Sequence, residues 1–61
     1  MNKAFAHGFG RTEVKTMPDG GVAVAVLHAE QVLSLTVYSP DMAEGVALAL
    51  IDAVKEVTDG R

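Results

Sequence analysis

The chain has 61 residues, 49% hydrophobic and 21% charged, with a formal net charge of −3 and no cysteine. That length allows one domain with a thin core, since a chain of about 60 residues buries only ~60% of the surface it exposes when unfolded. Disulfides are excluded, and His7 and His28, the only histidines, are too few for a closed four-ligand zinc site.

Residues 1–10 contain Phe5 and Phe9, the only phenylalanines, and are interrupted by Gly8 and Gly10. Glycine weakens helix and strand alike, so this stretch reads as an irregular arm that docks through its aromatics. Residues 11–17 alternate around Val14 and read as a strand. Pro18-Asp19-Gly20-Gly21 is a turn: proline presets the first corner, aspartate accepts a local hydrogen bond and glycine takes the left-handed position. Residues 22–27 form a second strand with valine at every other position. His28-Ala29-Glu30-Gln31 is a hairpin loop leading into a third strand over 32–38.

Ser39 fits a helix N-cap and Pro40 the first helical position, with Asp41 placing negative charge on the positive end of the helix dipole. A helix over 40–58 follows, with Gly60 as the left-handed residue beyond its end. The expected architecture is α+β: a three-stranded antiparallel meander over 11–38 followed by one C-terminal helix packed on one face.

At 100° per residue, Val46, Leu50, Val54 and Val57 fall on one side of the helix and should sit on the sheet. Asp41, Glu44, Asp52, Lys55 and Glu56 fall opposite, a solvated acidic face. Gly45, Ala49 and Ala53 form a small-residue seam between the two sides. The apolar arc spans about 200°, where a one-sided surface helix needs little more than ~100°. On the sheet, Val14, Val22, Val24, Val26, Leu33, Leu35 and Val37 are expected on the helix side. The other side is expected to carry Ala23, Ala25, Leu27 and Tyr38, with Glu13, Lys15, Val32, Ser34 and Thr36.

Chemistry-bearing patterns are sparse. His7, Gly8, Phe9, Gly10 and Arg11 could cradle a phosphate or nucleotide, with glycine amides facing an anion and Arg11 gripping it, but the spacing matches neither a P-loop nor a dinucleotide fingerprint. Neither histidine has a nucleophile or carboxylate at a telling spacing, so no catalytic residue is assigned and no cofactor is expected. Residues 1–16 carry a net +2 and residues 17–61 a net −5, which counts against nucleic acid as the main partner and leaves only weak binding through Lys3, Arg11 and Lys15.

The longest apolar runs, 22–27 and 46–51, are too short to span a bilayer, and no secretory h-region follows Lys3. A cytoplasmic location is the default expectation. The functional expectation is a small non-enzymatic protein-interaction module, of the size of a bacterial or phage-encoded inhibitor or adaptor, acting as a homodimer and meeting a protein partner of unknown identity. Gly45, Ala49 and Ala53 on the helix, or Ala23, Ala25, Leu27 and Tyr38 on the sheet, are the candidate interface residues.

Overall fold

The computed structural model describes residues 1–59. It contains four strands, β1 (Asn2–His7), β2 (Gly10–Thr16), β3 (Val22–His28) and β4 (Gln31–Tyr38), followed by one helix, α1 (Pro40–Asp59). The strands form one antiparallel meander in the order β1-β2-β3-β4. The α+β class, the meander and the C-terminal helix agree with the sequence reading; the strand count is four rather than three. The Gly60 cap lies outside the described residues.

The additional strand is the stretch read as an irregular arm. Residues 2–7 pair along the outer edge of β2, from Asn2 opposite Lys15 to His7 opposite Gly10. The two glycines that mark this stretch as irregular have separate local roles. Gly8 sits in the turn, with open space where a Cβ would be. At Gly10 the backbone passes so close to the Leu27 carbonyl that a Cβ would collide with it. Glycine in a strand interior marks such a close backbone approach.

The β2–β3 turn follows its sequence closely, whereas the β3–β4 turn is two residues long rather than the four expected over 28–31. In the β2–β3 turn the Gly20 N–H donates to the Met17 carbonyl at 3.0 Å, the Met17 N–H donates to the Gly21 carbonyl at 2.8 Å, and Asp19 Oδ1 accepts from the Gly21 N–H at 3.0 Å. Gly20 takes the left-handed φ of +94°. In the β3–β4 turn the central pair is Ala29 and Glu30, with φ of 51° and 65°. A two-residue hairpin with both central residues left-handed is the type I′ arrangement, whose twist matches that of the strands.

That turn places His28 opposite Gln31 and Leu27 opposite Val32. The ladder then slips: Val26 faces Ser34, so Leu33 has no partner on β3 and forms a β-bulge. Each side chain of β4 beyond the bulge therefore points to the opposite side from the one an unbroken ladder would give. Thr36 and Tyr38 join Val14, Val22 and Val24 on the helix side, while Leu35 and Val37 join Ala23, Ala25 and Leu27 on the far side. The expected placement of Leu35 and Val37 on the helix side, and of Ser34, Thr36 and Tyr38 opposite, is thereby corrected.

The helix begins as its sequence dictates. Ser39 Oγ accepts from the Met42 N–H at 3.3 Å, and the Ser39 carbonyl accepts the first helical hydrogen bond from Ala43 at 2.9 Å. Its packing differs from expectation. The helix touches the sheet chiefly at β4, and none of its described residues is buried. Val46 and Leu50 line a groove against the sheet as expected, but Val54 and Val57 lie beyond it. The buried hydrophobic residues are Ala23, Ala25 and Leu27, all on the far side of the sheet.

Two substitutions test the local geometry. Gly10→Ala should destabilise the fold by about 1–3 kcal/mol, because a backbone carbonyl cannot yield as a side chain would. Urea denaturation at fixed protein concentration reads that loss directly. Ala29→Asn should relieve a left-handed alanine and raise stability by up to ~1 kcal/mol, a rise in Tm of a few degrees.

Candidate functional site

The antiparallel order brings the β1–β2 turn and the β3–β4 turn to the same end of the sheet. His7, Phe9 and Arg11 therefore meet His28 and Glu30, which are far away in sequence. His7 and Phe9 stack with ring centroids 6.4 Å apart, and Phe9 tilts against His28 at 5.5 Å. The Gly10 N–H donates to His7 Nδ1 at 3.2 Å, which leaves the ring proton on Nε2, 3.1 Å from Thr12 Oγ1. This places His7 as a structural tie across the hairpin: one nitrogen caps the turn and the other joins a hydroxyl on the paired strand.

Among the described residues, Arg11 makes the most side-chain hydrogen bonds. Its Nη1 and Nη2 donate to the two carboxylate oxygens of Glu30 at 2.7 and 3.2 Å. Its Nε donates to Glu13 Oε2 at 2.8 Å. Lys15 Nζ lies 3.8 Å from the other Glu13 oxygen and extends the row. The fork that a phosphate would need is thus occupied by carboxylates. Hydrogen bonding from Arg11 holds both Glu13 and Glu30 below the ordinary glutamate value, and the two carboxylates raise the arginine in turn.

The five residues from His7 to Arg11 do not form one site: His7 meets Phe9 and Gly10, whereas Arg11 lies in the far-side row with Glu13 and Lys15 and is held by Glu13 and Glu30. An anion binding there would have to displace Glu30 or Glu13. Among the described residues no group of three or more histidine, aspartate and glutamate side chains could hold a metal ion.

The candidate interface residues divide between separate surfaces. Ala23, Ala25 and Leu27 form the floor of a trough on the far side, walled by Val32, Leu35 and Val37 on one flank and by Glu13 and Lys15 on the other. Tyr38 is not among them. It pairs opposite Val22 on the helix side and lines the groove beneath α1. Gly45, Ala49 and Ala53 are exposed, and a Cβ at Gly45 would meet nothing within 4 Å. The seam therefore does not ease the helix onto its own sheet.

The groove beneath α1 is a feature that sequence reasoning missed. It has a volume of about 550 Å³ and runs between Ala43, Val46, Ala47 and Leu50 of the helix and Phe5, Val14, Val22, Val24 and Tyr38 of the sheet. A sequence signal for it lies in the excess apolar arc of the helix, but its floor depends on β1, whose residues carry the pattern of an arm. No helix among the described residues is long and apolar enough to cross a membrane. No protein-family model, curated protein or solved structure matches the chain.

The Arg11 cluster has a pH signature. Both glutamates have folded-state pKa values depressed below their ordinary 4.5, so their contribution is present above that value and lost as pH falls through the lower folded values. Arg11→Gln should therefore destabilise the protein at pH 7, and the gap between variant and parent should narrow on acidification below about 4.5. Urea midpoints at pH 7 and pH 3 measure it. The effect should also shrink in high salt, because these groups are near solvent.

Proposed function

We propose that the chain is a self-associating, non-enzymatic protein-interaction module whose working form is a twofold dimer. The observation that carries this reading is the amount of surface a single copy leaves uncovered. One chain exposes 4807 Å². A compact monomer of 6.4 kDa should expose ~3,800 Å². The surplus, on the order of 1,000 Å², is close to the ~800 Å² that each partner contributes to a standard stable interface.

The dimensions agree with the area. The radius of gyration is 13.2 Å, where a compact domain of this length has about 10.5 Å. The uncovered surface is also of the kind that association removes from water. Leu50, Ile51, Val54 and Val57 are all more than half exposed. Exposed apolar side chains clustered on one element mark an interaction surface.

The hairpin end supports a binding role over a catalytic one. His7 holds a turn and Arg11 is held by two glutamates, so neither is poised toward an open cleft. Light scattering coupled to size exclusion should give twice the 6.4 kDa chain mass at tens of micromolar, and Tm should rise with protein concentration. A mass of one chain, with Tm independent of concentration, overturns the reading.

A further inference from the structure

We propose that the two copies dock by reciprocal helix seating: the C-terminal half of α1, through Leu50, Val54 and Val57, packs over the helix-side groove of the partner copy. This rests on the self-association reading and specifies its surface.

The first support is a mismatch within one chain. Val54 and Val57 continue the stripe of Val46 and Leu50 by one and two further turns, yet the hollow they form with Leu50 and Ala53 is lined by helix residues alone. Val54 and Val57 are 64% and 63% exposed. At the same time the sheet offers Phe5, Val14, Val22 and Val24 as an apolar floor that its own helix does not fill. An overhanging apolar stripe and an unfilled apolar floor on the same molecule are the two halves of one contact. A twofold axis satisfies both at once and closes the assembly at two copies.

Area and charge point the same way. Covering the stripe and floor on each chain removes apolar surface, the kind that a single copy leaves in excess. Residues 40–59 carry a net −4, whereas residues 1–39 balance to zero. The partner's sheet is therefore a better landing surface for the helix than the partner's helix, which would bring like charges together. Lys3, opposite Val14 on the helix side of the edge strand, adds positive charge there.

The test places a carboxylate in the contact. Val54→Glu should raise the dimer dissociation constant at least about a hundredfold, because an unpaired charge is strongly disfavoured in a buried apolar site. Its far-UV circular dichroism should keep the parent shape, since Val54 is exposed in the single chain. Leu35→Glu, on the far side of the sheet, should leave the mass unchanged. A Val54→Glu protein that stays dimeric overturns the docking while leaving self-association standing; a parent chain that is monomeric removes both.

Cross-linking keeps the proposal falsifiable if Val54→Glu unfolds. The described chain has no cysteine, so Phe5→Cys and Val57→Cys proteins can be mixed and treated with a short bismaleimide. The expected product is a heterodimer joined through positions 5 and 57. A mixture that light scattering shows to be dimeric, yet gives no such product, overturns reciprocal seating.

Discussion

Leu33 has no partner on β3, and the packing of the whole molecule turns on that unpaired residue. Without it, the two-residue turn at Ala29 and Glu30 would carry Leu33, Leu35 and Val37 onto the side of Val22, Val24 and Val26. The helix would then meet a continuous floor of branched aliphatics. With the bulge in place, β4 presents Ser34, Thr36 and Tyr38 to the helix side and sends Leu35 and Val37 away. Period-two alternation makes the consequence total: a slip of one residue reverses every side chain beyond it.

The weak contact between helix and sheet follows from that reversal. β4 is the strand that leads directly into α1 and the one the helix touches, and its helix-side row is the polar one. The helix is left with an apolar arc that its own sheet only partly uses. Such a helix is not stable through propensity alone, because most helical stability in proteins comes from packing an amphipathic face. Mid-helix Gly45 sharpens the point, since glycine weakens a helix by about 1 kcal/mol relative to alanine and nothing in the single chain fills the space it leaves. The proposed dimer would add packing to this face of the helix.

Much of this architecture is legible in the residues, and the illegible part has specific causes. Pro18-Asp19-Gly20-Gly21 and Ser39-Pro40 carry local chemistry that dictates a turn and a helix start, and the hydrogen bonds at Gly20, Gly21 and Met42 match it. The strand β1 is hidden because Gly10 reads as a breaker, whereas its missing Cβ is what lets β2 pass the Leu27 carbonyl. The bulge is hidden because Val32 to Tyr38 alternates acceptably in either register. Neither Ala29 nor Glu30 advertises a left-handed turn, so the residues that set the register carry no composition signal. The split of Tyr38 from Ala23 and Ala25 follows from the same slip. For the hairpin end, the residues from His7 to Arg11 were identifiable as a group, but Glu30 reaches Arg11 only through the meander, 19 positions along the chain.

The bulge also bears on which association is open to the molecule. β4 is an edge strand of eight residues with no charge and no proline, the sort of edge that invites another chain to add a strand. Edge pairing of two copies of β4 would compete with association through the faces. Leu33 interrupts the regular spacing of backbone groups along β4 and bends the strand, which is one of the devices by which natural sheets blunt an edge. The same residue that strips the helix side of its aliphatic row therefore also disfavours pairing at the edge, which fits the proposed docking through the helix and the groove beside it.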